Sequence, residues 1–375
     1  MYLKNLSRHI LNKEKLMKNL IFFLFCLLSI INIKIKGSNS YYKDYMALEN
    51  TSPIKGIFVW LIIMSHYKNY YKSKSLYICN QIISCLGQKM VSLFLFYSGY
   101  GIFESIKRKG INYVNSLPKK SLILYIKFQL ILLIFLLNNK LLGIKFNYKI
   151  YILSIIFKGS LGNSNWFSFT IISLYLYSFI SFRFIKNEKY NFIGIIFITI
   201  LSYFHTYFTF NYFYPKKIYS VDNILCFLIG IYYSILKKYL DQIFMKNDIL
   251  YFGNITILIV IYYYFYTFKN SNIFLISITN SLFSLIIILI SMKIRFSNEF
   301  LIMLNSHSYS IYLLQRVIMI NVIYRKYFEK SEFIRFIFIF ISILLISNIF
   351  DKSFSFIDNI LKRDKKTNQI KTFNL

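Results

Sequence analysis

Runs of about twenty mostly apolar residues recur from end to end of this chain, and they constrain its fold more than any other feature. A helix needs about 20 such residues to cross the roughly 30 Å hydrocarbon layer of a bilayer. Segments of this kind lie near 54–66, 86–105, 121–142, 165–184, 191–210, 221–236, 249–268, 273–292, 304–324 and 333–350. An eleventh stretch, 148–158, is shorter and ends in the polar run Gly159 to Asn165. It is expected to re-enter or lie at the interface rather than cross. Composition agrees: 57% of residues are apolar and only 16% charged, against about 25% charged in soluble domains. The expected fold class is an all-α polytopic membrane protein, a bundle of about ten transmembrane helices plus a short N-terminal apolar segment. A disordered chain, a disulfide scaffold and an ordinary cytosolic enzyme are excluded.

The formal net charge of +31 invites a nucleic-acid partner, but the lysines are scattered between apolar runs instead of forming one basic domain. Heavy use of Lys, Asn, Ile, Tyr and Phe beside a single alanine, Ala47, points to compositional drift as the source of much of that charge. No nucleic-acid partner is expected. The cysteines Cys26, Cys79, Cys85 and Cys226 have no metal-ligand spacing and read as inert thiols, with Cys79 and Cys85 near enough in sequence to approach each other. The chain divides into an N-terminal basic and apolar extension (1–51), a membrane domain (52–350) and a basic tail (351–375) expected in the cytoplasm. The apolar run Leu20 to Ile33 lies between lysines, a signal-like or interfacial pattern. Lys/Arg asymmetry weakly favours both ends of the membrane domain inside. The prolines Pro53, Pro118 and Pro215 are expected at segment edges.

Ionisable groups inside a bilayer are costly, which makes each a functional candidate. Lys55 and His66 are eleven residues apart on one helix, hence about 20° apart around it and roughly 16 Å apart along it. They share a face. A snorkelling lysine and an interfacial histidine are the plainer reading. His205 is expected at an aromatic helix end, and His307 at a helix start as a cap or an exposed group. Lys127 and Arg316, the charges nearest mid-helix, either face a cavity or make structural hydrogen bonds. Trp166 reads as an interfacial anchor on which a sugar can also stack.

The Lys55-x10-His66 helix resembles the Arg/Lys-x10-His signature of the membrane-bound acyltransferase family 3, the polysaccharide O-acetyltransferase-like integral membrane acyltransferases. Further stretches are similar to the family in the same order. They are Phe94 to Tyr100 around Ser98-Gly99, the basic residues Lys107-Arg108-Lys109 with Leu117-Pro118-Lys119, Asn165-Trp166-Phe167, Asp222 to Gly230, and Ser308 to Gln315. The resemblance covers residues 52 to 350, and ten helices is the family's usual number. Two positions depart from it: Lys55 stands where Arg is commoner, losing the planar fork, and Gln315 where many members have His.

The resemblance implies an O-acyltransferase moving an acyl group, acetyl by analogy, from a cytosolic CoA thioester to a hydroxyl of a cell-surface polysaccharide or lipid-linked glycan precursor. Acetyl-CoA would be the donor co-substrate, with no permanently bound cofactor and no metal. His66 suits either the general base that takes the hydroxyl proton or a transient acyl carrier; Lys55, the other expected catalytic residue, would guide the pantetheine arm or neutralise an anion on the way in. The basic loop with Lys107, Arg108, Lys109 and Lys119 would hold the donor's phosphates, with simple positive-inside topology as the other reading of these charges. Ser98, Trp166, Tyr312, Gln315 and Arg316 are candidate substrate-binding residues. The expected partners are the acyl-CoA donor, the glycan acceptor and the lipid bilayer, in a multi-pass protein of the cell membrane. The alternative is a polysaccharide or lipid-linked glycan flippase, although the half-repeats and mid-span helix breaks of such transporters are not seen. A glycan polymerase would need a larger external loop.

Overall fold

The computed structural model describes residues 22–70, 86, 89–145, 147–184, 191–215, 217–268, 272–328 and 331–373. Cys79 and Cys85 lie outside the described residues. Among the described residues twelve α-helices follow one another: α1 (22–30), α2 (Leu48–Tyr70), α3 (Lys89–Leu141), α4 (Tyr148–Ile155), α5 (Trp166–Phe182), α6 (Asn191–Phe208), α7 (Ile224–Phe244), α8 (Asp248–Thr267), α9 (Ile273–Ser291), α10 (Glu299–Ser306), α11 (Ser308–Tyr324) and α12 (Glu332–Phe373). The described residues of all ten long apolar segments are mainly helical. Five described helices are long and apolar enough to cross a membrane by length and composition: α3, α6 with the turn that follows it, α8, α9, and α12 as far as Ser355. The chain is an all-α membrane protein with at least these candidate spans.

Helix α3 covers two of the apolar segments. It breaks at Gly110, whose φ of 55° and ψ of −142° leave the helical region, a conformation that glycine adopts without a Cβ penalty. The limbs 89–109 and 111–141 thereby become separate helices. Two sequence expectations fail here. The basic residues around Gly110 are helical up to and beyond it, because their charge reports exposure and does not prevent backbone hydrogen bonding. Pro53 and Pro118 lie inside helices, and each merely removes one i→i−4 bond. Segment 304–324 also divides, with His307 ending α10 and starting α11. The eight-residue α4 is about 12 Å long, too short to cross, as expected of 148–158.

Close backbone approach holds the centre together. Gly99 on α3 and Gly230 on α7 face each other's helix. A Cβ at Gly99 would lie 2.0 Å from the Phe227 carbonyl oxygen, and one at Gly230 would lie 2.1 Å from that of Phe96. Small residues at a crossing let helices pack without a hydrophobic driving force in lipid. The Ser98-Gly99 and Phe227-x-x-Gly230 motifs, distant in sequence, are therefore two halves of one contact. Gly56 on α2 meets the Leu301 carbonyl of α10 in the same way.

Polar and aromatic contacts tie distant segments together, and the N-terminal segment is docked rather than loose. Phe25 stacks on Trp60 at 3.8 Å, and strand β1 (Lys34–Ile35) pairs antiparallel with β2 (Ile294–Arg295). The hydroxyl of the fully buried Tyr45 donates to Asp241 at 2.6 Å. Lys127 donates to Asp351 at 2.7 Å, and the same carboxylate accepts from Ser310 and lies 2.8 Å from His307 Nδ1. The capping place expected for His307 is therefore supplemented by an acidic partner. His205, expected at an interface, is 3% exposed, packed on Phe169 and 3.1 Å from the Tyr177 hydroxyl.

Candidate active site

Lys55 and His66 lie on the buried face of α2, and three cavities run between them. The first, of about 360 Å³, is lined by Lys55, Tyr97, Ser98 and Tyr113 among others. Ser98, Phe94, Tyr175 and Ser308 also line the second, of about 200 Å³, which continues past Tyr312 and Gln315. The second shares Ile62, Val91 and Tyr312 with the third, of about 650 Å³, where His66, Trp166 and Arg316 meet. Shared lining residues place the three in a row along one face of α2, and this row of adjacent cavities is the passage from Lys55 to His66.

Each end has its own chemistry. The Lys55 ammonium sits 5.5 Å from the centre of the Tyr97 ring, a distance suited to a cation–π contact, and the buried Tyr97 hydroxyl has no hydrogen-bond partner. In the middle the lining is largely apolar, apart from Ser98 and hydroxyls of Tyr175, Ser308, Tyr309 and Tyr312. Gln315 is fully buried there; its Nε2 donates to the Tyr312 carbonyl at 3.2 Å, and its Oε1 has no partner. At the far end Arg316 Nη2 lies 3.4 Å from His66 Nδ1. Guanidinium only donates, so Nδ1 is the accepting nitrogen in this contact. Tyr312 donates to Ser164 Oγ at 2.9 Å, and its ring meets Phe167 at 5.1 Å.

One wall of the His66 cavity is the irregular segment after α4. Two residues past the end of α4, Phe157 lies in the left-handed region (φ 65°), where a Cβ residue costs roughly 1–2 kcal/mol. Packing holds it there: its ring stacks on Phe128 at 4.6 Å, and its carbonyl accepts from Asn165 Nδ2 at 2.6 Å and Tyr214 at 2.7 Å. Asn165 Nδ2 also bonds the Gly159 carbonyl. Asn139 Nδ2, on the far limb of α3, holds the Leu161 carbonyl at 2.9 Å. Backbone groups away from water need such partners. The result is a fixed polar wall presenting Lys158, Asn163, Ser164 and Trp166 to the cavity.

Of the sequence candidates, Lys55, His66, Ser98, Trp166, Tyr312, Gln315 and Arg316 all line this passage. Lys107, Arg108, Lys109 and Lys119 do not; all four are exposed. Lys107 pairs with Glu104 at 2.9 Å and donates to the Ser234 carbonyl at 2.6 Å. The α3 limbs that carry them nevertheless contribute Ile102 and Tyr113 to the Lys55 cavity, so they stand beside its rim. Lys127 faces Asp351, which is the structural reading of that residue. Sequence reasoning missed Asn69, Lys158, Asn163, Ser164 and Lys217 at the His66 end. The polar run Gly159 to Asn165 was the available signal, since backbone of that kind survives at membrane depth only against protein or a cavity. Among the described residues no cluster of His, Cys, Asp or Glu is suited to a metal ion.

Neither a curated protein nor a solved structure matches the chain. A family model described as an acyltransferase domain matches residues 54–351, which spans the whole passage from Lys55 to α12. The chain belongs to acyltransferase family 3 and is a membrane acyltransferase.

Proposed function

We propose that this protein transfers an acyl group, acetyl by family likeness, from a cytosolic CoA thioester to a hydroxyl of a cell-surface polysaccharide or lipid-linked glycan precursor. It does so in the cell membrane with ten crossings, both ends of the membrane domain facing the cytoplasm. The observation that carries this reading is the passage joining Lys55 to His66. Its middle cavity, of about 200 Å³, is lined mostly by apolar residues with a few hydroxyls, and the cavity at the histidine, of about 650 Å³, is larger and more polar. The exposed Lys107, Arg108, Lys109 and Lys119 beside the Lys55 mouth suit the phosphates of a donor whose arm has entered. Family membership favours this reading over a glycan transporter.

The chemistry needs few groups. The acceptor hydroxyl oxygen attacks the thioester carbonyl carbon, His66 takes the hydroxyl proton, the C–S bond breaks as the C–O bond forms, and the proton leaves with the thiolate as thiol. If His66 instead carries the acyl group, the same C–S bond breaks in a first step and the acyl–imidazole bond in a second. Lys55 sits about 16 Å from this centre, which suits guidance of the donor and not bond-making.

Ser98 tests the passage, because it lines both the Lys55 cavity and the middle one. Ser98→Phe fills the constriction with a ring. The full-length variant should insert normally and bind acceptor, yet lose acyl transfer by at least about 100-fold, since proximity terms of this size vanish when the donor cannot reach. Full activity in a normally inserted Ser98→Phe protein would reject the passage as the donor's route.

A further inference from the structure

The His66 cavity has a charge pattern that acyl transfer alone leaves unused. Arg316, Lys158 and Lys217 all line it, and none of its described lining residues is an aspartate or glutamate. Elsewhere several partly buried cations are matched by acids, Lys127 with Asp351, Lys293 with Asp248 and Arg335 with Glu332, while Lys89 lies over the Tyr262 and Tyr266 rings and Lys55 over that of Tyr97. Among the described residues, none of the three cations at the His66 cavity pairs with a carboxylate. Lys158 and Lys217 are exposed, and Lys158 also lies 4.9 Å from the centre of the Phe213 ring, so it is the convergence of three cations on one polar chamber, and not burial of the lysines, that points to an anion. A second, independent observation points the same way. Asn163, 3% exposed, leaves its Nδ2 without an acceptor, and Arg316 leaves Nε without one. Unsatisfied buried donors cost free energy unless a ligand supplies the acceptors. Trp166 adds an aromatic surface on which a sugar ring can stack.

We infer that the acceptor is an anionic glycan, whose carboxylate or phosphate is held by Arg316, Lys158 and Lys217 while its hydroxyl faces His66. The inference rests on the acyltransferase reading above and specifies its acceptor. The geometry gives the charge a second task. Arg316 donates toward His66 Nδ1 across 3.4 Å, on the one nitrogen of that contact able to accept a proton. An anion beside Arg316 forms the stronger, charge-assisted bond with the guanidinium and draws it off Nδ1. The freed lone pair then faces the sugar hydroxyl. A neutral glycan leaves the guanidinium where it is.

The test uses the full-length protein in proteoliposomes and reads tryptophan fluorescence. The chain has two tryptophans. Trp60 is 3% exposed and stacked on Phe25, so quenching by a soluble sugar reports Trp166, with Trp166→Phe as the check. The probes are a glucuronate-terminated oligosaccharide, its carboxyl-reduced neutral counterpart, and the neutral sugar bearing a phosphate. At least one anionic probe should bind about tenfold or more tighter than the neutral one, with an advantage that shrinks as salt is raised. The better anion identifies the source of the charge. Lys158→Gln with Lys217→Gln should remove most of that advantage, with the variant's monodisperse peak and thermal midpoint matching wild type to show that it is folded. Equal binding of neutral and anionic probes, or no quenching by either anion, overturns the inference. Failure of the underlying reading looks different: acyl transfer would survive His66→Ala while the preference for the anionic probe persisted.

Discussion

Two glycines, one helical turn or less apart, have opposite surroundings. A Cβ on Gly99 would lie 2.0 Å from the Phe227 carbonyl oxygen and 2.9 Å from its carbon, whereas one on Gly101 meets nothing within 4 Å. Ala at 99 therefore forces α3 and α7 apart by at least about 1 Å before the contact becomes tolerable, and the obstacle is backbone, which cannot swing away as a side chain does. Overpacking of this kind costs about 1–3 kcal/mol. The reciprocal approach of Gly230 to Phe96 is lost with it, so the upper part of that range applies. Ala at 101 meets no obstacle and gains about 1 kcal/mol of helix propensity. Thermal unfolding of the purified protein in detergent, followed by loss of the monodisperse peak, should separate the two. At roughly 2–4 °C per kcal/mol, Gly99→Ala should lower the midpoint by about 4–10 °C and Gly101→Ala should leave it unchanged or slightly higher. Equal shifts for both variants would refute the crossing as the feature that holds the centre.

Lys127→Met should destabilise the protein by about 1–3 kcal/mol, because Asp351 keeps only Ser310 and His307 as partners in a partly buried place; the same unfolding assay reads it, and a neutral result would show that the pair contributes nothing. Asn165→Ala removes the two bonds from its side chain to the Phe157 and Gly159 carbonyls and should lower kcat for acyl transfer by about tenfold through a misplaced wall, with insertion and expression retained. A tenfold rise in the donor KM alone would instead place Asn165 on the donor's path.

How much of this was readable beforehand differs from residue to residue. The common face of Lys55 and His66 follows from helical geometry, and α2 keeps it. The apolar segments follow from composition and coincide with helix because, away from water, backbone groups have few other partners. Gly99 and Gly230 were each visible within a motif, but nothing in the sequence says that the two motifs touch, since the contact joins positions more than a hundred residues apart. Asp351 is 224 residues from Lys127, and no local pattern pairs them. The basic residues around Gly110 misled for a different reason: charge indicates water, and a helix in water looks like a loop when read by charge alone. Lys158 and Lys217 escaped because lysines occur throughout the chain, and only folding distinguishes those brought to the His66 cavity.

The central claim is that His66 performs the acyl transfer at the end of the passage. Transfer of a radiolabelled acetyl group from acetyl-CoA to glycan in inverted membrane vesicles tests it most directly, with His66→Ala compared against wild type at matched protein level. Loss of a general base removes about 100- to 10,000-fold of rate, so the variant should fall to background. His205→Ala, whose ring packs on Phe169 and Tyr177 away from the passage, should retain transfer. A His66→Ala protein that labels glycan at the wild-type rate would contradict the account.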